Sequence, residues 1–421
     1  MRFVPALFHP WDGGIFVARR ARSRLTVGDN HAMGAARWPL DRREQTVASL
    51  GRRGLPRDQY FAEVAARVRR VVDCDAMCWH TLDPLTRLMT SDAPQELISA
   101  GIFTPHTAPA AGATLVASEY LREDFNTFAA LAARRIPVGV LSEVTRGRPE
   151  RSARYRDLLA PSGIPFEMRA AFVVRGRCWG AVHLARREDR ADFSGEDAEG
   201  LARITATVAD GIRTSLRFDA ARRPDDGTAP GLVVLDSTNA VELITAPARV
   251  LMAALRSPAV AQNDETPPTP LLALATFVRG RPHGAGPQGD VIAVPSPSGW
   301  ITLHASLPEG RPGGQVAIVL ERAGGPETTA VRLEAHGVTA REREIATLLA
   351  QGLSNGEIAA TLVLSPYTVQ DHIKSLFEKT AVSSRQEFVA RVFLDQYLPQ
   401  LAQHGPLTSN GHFAAPGTPL P

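Results

Sequence analysis

The sequence predicts a multidomain chain: two α+β domains, each an antiparallel sheet with helices, followed by an all-α domain of four helices that contains a helix-turn-helix. Three observations carry this prediction. The chain has 421 residues, which at about 100 to 200 residues per domain is room for two to four domains. Helical spacing alternates with paired strand-like runs through the first three quarters of it. Residues 337–394 then stack four helix starts with almost no chain between the second and third.

Taken in order, residues 1–45 hold the run RRARSR and little periodic apolar pattern, and read as a disordered arm, with Met33 as an alternative start. Phe61, Val64, Ala65, Val68, Val71 and Val72 then recur at helical spacing, and CDAMCWHTLDPLTRLMTS reads as two short strands around Asp83 and Pro84. The runs MRAAFVV and CWGAVHLA flank a turn at Arg175, Gly176 and Arg177, a hairpin of buried strands. Ser194, with Asp197 three residues on, opens a long amphipathic helix. This order resembles a GAF sensor domain over residues 46–217.

Residues 218–229 break the pattern and read as a linker. GLVVLD and VELIT form a hairpin around Thr238 and Asn239, APARVLMAAL is helical, and a short helix is expected from Leu271 to Phe277. DVIAVP, WITLHASL and QVAIVLE complete a second antiparallel sheet, so that residues 230–322 resemble a PAS domain. A linker (323–335), the four-helix domain (336–398) and a disordered tail (399–421) follow.

Composition narrows the chemistry. The 47 basic and 44 acidic residues leave a formal charge of only +3, so a nucleic-acid partner must be argued from a motif. Lysine occurs only at Lys374 and Lys379, which removes the phosphate-loop lysine, the Schiff-base lysine and the kinase strand lysine from the rest of the chain. A phosphoacceptor receiver domain is disfavoured on the same ground. Cys74, Cys78 and Cys178 are too few for a disulfide framework and suit a reducing compartment, and no run approaches the roughly 18 to 20 apolar residues of a membrane span. A cytoplasmic protein is expected, without a cofactor.

The helix signals of residues 337–394 are specific. Thr339 with Glu342, and Ser354 with Glu357, are capping boxes; Gly352 stops the first helix; Ser365 caps a third helix that has Pro366 at its first position. Only Val363 and Leu364 separate helices two and three, which forces a sharp crossing. In the third helix Val369, Ile373 and Leu376 share one face, and Tyr367, Gln370, Asp371, Lys374 and Glu378 the other. The set Thr339, Arg341, Glu342, Gly352, Ser354, Asn355, Glu357, Ile358, Ala359, Leu362, Ser365, Thr368, Val369, His372, Lys379, Val382 and Arg385 resembles the LuxR family carboxy-terminal domain. Thr380 and Ala381 depart from it, standing where leucine and glycine are usual.

The resemblance implies that Gln370, Asp371 and Lys374 contact bases and that Ser365, Thr368 and Lys379 contact the DNA backbone, with Arg385 also in the DNA-binding set. Glutamine suits adenine, a carboxylate the cytosine amino group, and lysine guanine. Residues 337–397 carry six basic and seven acidic side chains, so one domain neutralises few phosphates and a homodimer is expected. Phe388, Val389, Val392 and Phe393 offer a dimer surface, or else close the core of one monomer. The expected partners are double-stranded DNA, a second copy of the chain, a small-molecule effector and RNA polymerase.

Two other constellations are weighed. Cys74 and Cys78, with His80 near, suggest metal or haem, but core packing is preferred because the spacing is not that of a zinc knuckle. His183 alternates with Val182 and Leu184 and faces either a cavity or, as preferred, the surface. No hydrolase or nucleotide fingerprint occurs, so a sensor-fused hydrolase is the remote alternative. The nearer rival keeps the DNA reader and makes the middle domains ligand-free dimerisation scaffolds. The pocket pattern of an acyl-homoserine lactone receptor is not evident.

Overall fold

The computed structural model describes residues 42–220, 228–260, 266–280, 290–308, 314–322 and 333–389. Two antiparallel sheet domains precede a helical carboxy-terminal region. The first runs α1 (Arg42–Gly51), α2 (Arg57–Val68), β1 (Ala76–Leu82), β2 (Met89–Ala93), α3 (Gln95–Ser99), α4 (Ala108–Tyr120), α5 (Phe128–Ala132), β3 (Val138–Val140), α6 (Leu141–Thr145), β4 (Phe166–Val174), β5 (Arg177–Arg186) and α7 (Gly195–Ala220). Its sheet has the order β2-β1-β5-β4-β3.

The second domain comprises β6 (Gly231–Leu235), β7 (Val241–Ile244), α8 (Ala246–Leu255), α9 (Thr269–Arg279), β8 (Val291–Ser296), β9 (Gly299–Ser306) and β10 (Val316–Arg322). Its order is β7-β6-β10-β9-β8. Counted within its own domain, each sheet is therefore 2-1-5-4-3. The two domains repeat one topology although no repeat is visible in their sequences.

Local chemistry explains the long hairpin. Arg175 and Gly176 have φ of 54° and 73°, the pair of positive values that a two-residue turn needs to match strand twist. One face of the first sheet carries Met77, Trp79, Met168, Ala170, Phe172, Val182 and Leu184, and it packs on Leu50, Tyr60, Val64, Val208 and Ile212 from α1, α2 and α7. Trp79 stacks on Phe172 at 5.4 Å. Helix α7 starts where Ser194 Oγ accepts from the Asp197 amide (3.1 Å) and the Asp197 carboxylate accepts from the Ser194 amide (2.8 Å). Gly211 admits Tyr60 to that helix, since a Cβ there would stand 2.0 Å from the phenol oxygen.

The other face is covered as well. Leu115, Phe128, Leu158 and Ile164 lie over it, and their apolar cluster continues into Leu251, Leu271 and Ile301 of the second domain. Gln95 Nε2 donates to Ser257 Oγ (3.0 Å) and Arg57 Nη1 to the Pro295 carbonyl (3.0 Å) across the same junction.

Some boundaries move. Helix α1 begins at Arg42 and buries Val47 and Leu50, so the expected arm over residues 1–45 ends too late. Helix α7 continues to Ala220, beyond the expected linker start at 218, because Ile212 and Leu216 still pack on the sheet. Residues 333–335 are helical rather than linker. The RRARSR run, Met33, residues 221–227 and 323–332 of the linkers, Val392, Phe393 and the tail lie outside the described residues.

Candidate nucleic-acid interface

Three helices build the interface: α10 (Ala340–Ala350), α11 (Asn355–Leu362) and α12 (Pro366–Thr380); a further helical turn spans residues 385–389. Both capping boxes form, with Thr339 Oγ1 accepting from the Glu342 amide (3.2 Å) and Ser354 Oγ from the Glu357 amide (3.3 Å). Val363 ends α11 in the left-handed conformation, φ 54° and ψ 51°. The Leu364 amide then reaches the Ala359 carbonyl (2.9 Å), and this reversal turns the chain into α12. Arg341 Nη2 satisfies the Leu362 carbonyl at 2.8 Å.

Helix α12 has the two faces its spacing predicts. Val369, Ile373 and Leu376 are buried against Ile345, Leu349 and Ile358. Tyr367, Gln370, Asp371, Lys374 and Glu378 are exposed, Tyr367 to 74%. Ser365 Oγ accepts from the Thr368 amide (3.0 Å) and lies 2.8 Å from Thr368 Oγ1. Both expected phosphate-contacting hydroxyls therefore sit at the amino terminus of α12, where free amides attract anions.

Two expected backbone contacts are engaged elsewhere. Lys379 Nζ lies 2.7 Å from both carboxylate oxygens of Glu342, and Arg385 donates to the Leu353 carbonyl. Glu342, only 3% exposed, also accepts from Ser375 Oγ (2.7 Å) and the Thr339 amide (2.7 Å). Burial alone would raise its pKa, but the bonds from Lys379, Ser375 and Thr339 outweigh burial and hold it at about 2. Of the two lysines in the chain, one thus clamps α10 to α12 and the other is left on the open face.

The Thr380 and Ala381 departures are accommodated. Ala381 takes the left-handed position that glycine usually fills, φ 54°, and the Val382 amide bonds back to the Phe377 carbonyl (3.1 Å). Thr380 is buried with its hydroxyl on the Leu376 carbonyl (2.7 Å). Phe388 is 2% exposed and closes the core of the domain, and the half-buried Val389 packs against the same core.

The domain is also tied to the first sheet domain, through residues with no local sequence signal. Glu334, 5% exposed, accepts from Arg177 Nη2 (2.9 Å) and pairs with Arg343 of α10. Arg213 of α7 donates to the Ala335 carbonyl. Arg175, Arg177, Trp179, Arg213, Glu334 and Arg343 border a cleft of about 320 Å³.

In the first sheet domain, Cys74 is buried and its thiol pushed up to about 12 by burial, as core packing predicts. His183 is not at the surface: it is 6% exposed and shares a buried cavity with Cys78 and His80. Alternation along β5 cannot sort inside from outside when both faces of the sheet are covered. Burial, then the charge of Arg169, brings the His183 imidazole down to about 3. His80 is likewise held well below the usual histidine range, by burial and then by His183 and Arg169.

Residues 336–392 match the family model described as bacterial regulatory proteins, luxR family. The transcriptional regulatory protein UhpA of Escherichia coli K12 is 50% identical over 56 residues, 13% of this chain and 29% of UhpA. The monoamine regulon transcriptional regulator of Klebsiella aerogenes is 42% identical over 57 residues, 14% of this chain and 25% of that protein. The probable regulatory protein NarL of Mycobacterium tuberculosis H37Rv is 41% identical over 61 residues, 14% of this chain and 28% of NarL. This chain thus spans under a third of the length of these curated relatives. Among solved structures, a phage VqmA in complex with DPO is 19% identical, covering 46% of this chain and 94% of that one with a TM-score of 0.16, too low to establish a shared arrangement. The carboxy-terminal region is a LuxR-family helix-turn-helix domain.

Proposed function

We propose that the chain is a one-component transcriptional regulator whose helix α12 reads the DNA major groove. The observation that carries this reading is the open face of α12: Gln370, Asp371 and Lys374 exposed together, opposite a face fully committed to the core. Gln370, Asp371 and Lys374 face base edges, Ser365 and Thr368 face phosphate, and Arg385 and Lys379 mainly hold the domain in shape. The even charge balance makes two copies necessary for useful affinity, each taking one half-site. Phe388 is committed to the core of the domain, and the half-buried Val389 is left as the described part of the expected dimer surface.

The two sheet domains act as the sensor, the first GAF-like and the second PAS-like, in the cytoplasm. Their route to DNA is the Glu334 contact, which joins Arg177 in the long hairpin of the sensor to Arg343 in the reader. RNA polymerase is the expected recipient of the output. The test is selection of bound duplexes from a random pool by the full chain, followed by footprinting. Two related half-sites about one helical turn apart support the reading; a pool that stays random overturns it.

A further inference from the structure

The first sheet carries a polar row on the face away from α7. Strand register sets it out: Asp92 of β2 stands opposite His80 of β1, Cys78 opposite His183 of β5, and His183 opposite Arg169 of β4. Cys78 is 4%, His80 1% and His183 6% exposed. One ligand atom from each of Cys78, His80 and His183 lies within 4.8 Å of the others. Among the described residues, neither ring nitrogen of His80, nor Nδ1 of His183, meets a hydrogen-bond partner. Buried polar atoms left so are costly and rare.

Arg154 and Arg169 are buried against Glu119, Asp124 and Glu167, with Arg154 Nη2 2.7 Å from Glu167 and Arg169 Nη1 2.6 Å from Glu119. Two guanidiniums thus face three carboxylates beside the row, and Asp92 adds a fourth carboxyl at its end. The adjoining cavity holds about 30 Å³, room for water or a small ion.

We propose that Cys78, His80 and His183 form a binding site for one transition-metal ion of tetrahedral, borderline-soft character, with zinc(II) as the type. A divalent ion on one thiolate and two neutral imidazoles brings a net single positive charge, which suits a site beside more buried carboxyl groups than guanidiniums. Zn–S and Zn–N bonds of about 2.3 and 2.0 Å put tetrahedral ligand atoms roughly 3.3 to 3.5 Å apart, so the three side chains close by about 1 Å. The fourth position faces the cavity, which Asp92 borders. On binding, the Cys78 S–H bond breaks, an S–metal bond forms and one proton leaves to solvent. As the signal the regulator receives, the ion rests on the function proposed above; its binding does not.

The experiment uses the full chain, stripped with chelator and titrated with zinc(II) against a chromophoric competitor, then with cobalt(II). The expected result is one ion per chain, a thiolate-to-cobalt charge-transfer band, and one proton released. Cys78→Ser and His183→Ala should each weaken binding by more than the roughly 10- to 100-fold that loss of a supporting group costs. Cys178→Ser, whose thiol is occupied by the Gly180 carbonyl, should change nothing. His183→Gln keeps a polar side chain of similar bulk, and circular dichroism confirms the fold of each variant. A chain that takes up no ion, that binds equally well in folded Cys78 and His183 variants, or that takes an anion instead overturns the proposal. The readout is the ion itself, so a failure of DNA binding is not mistaken for loss of the site.

Discussion

Glu342→Gln removes one charge and little else. Glutamine still suits the third position of a capping box, and Lys379, 26% exposed in its side chain, can turn its ammonium to water. What disappears is the stabilisation recorded by the fall of the Glu342 pKa from 4.5 to about 2. At 1.36 kcal/mol per unit this amounts to about 3 kcal/mol. Because the folded value lies below the unfolded one, the contribution is complete above pH 4.5 and fades as pH falls towards 2. Hydrogen exchange of residues 340–380 in the full chain measures it, since opening of this domain is read separately from the sheet domains. At pH 7 the variant should open more readily by about 3 kcal/mol, and at pH 3 the difference should shrink to about 1 kcal/mol. An equal difference at both pH values would show that Glu342 acts through packing and not through charge, and would refute the reasoning.

Ala381→Gly should raise the stability of the same domain by about 0.5 to 1 kcal/mol, as the strain of a left-handed alanine outweighs glycine's entropy in the unfolded chain; an unchanged or lower thermal midpoint would count against it. Arg154→Met leaves Glu167 and Asp124 buried without their main cation and should cost the first domain about 3 to 5 kcal/mol, seen as an earlier transition of that domain in calorimetry while the helix-turn-helix domain keeps its own. Retention of the wild-type transition would mean that the buried cluster is not fully charged.

The reader domain was legible because its signals are local. Capping boxes, Pro366 and the apolar spacing of Val369, Ile373 and Leu376 lie within a few residues of the structure they specify. Most strands of both sheets, and the hairpins that join them, followed from alternation and turn residues for the same reason, but the order of the strands did not, and the short β3, pinned by its pairing with β4, was not visible. The failures are non-local. Lys379 looks like a phosphate ligand until Glu342, on another helix, is brought beside it. Cys78, His80 and His183 come together only through the pairing of β1 with β5, and the burial of Arg154 and Arg169 runs against the usual place of arginine. Helix α1 hid because, among its described side chains, just Val47 and Leu50 are fully buried, after an arginine-rich stretch.

The central claim is that α12 reads sequence through its open face, and Lys374→Ala tests it most directly. Full-length wild type and variant are compared at matched salt on a selected duplex and on a scrambled one. The variant should bind the selected duplex about 1 to 3 kcal/mol more weakly and lose much less on the scrambled duplex. Equal affinity of the two proteins for the selected site, or an equal loss on both duplexes, would contradict base reading by Lys374.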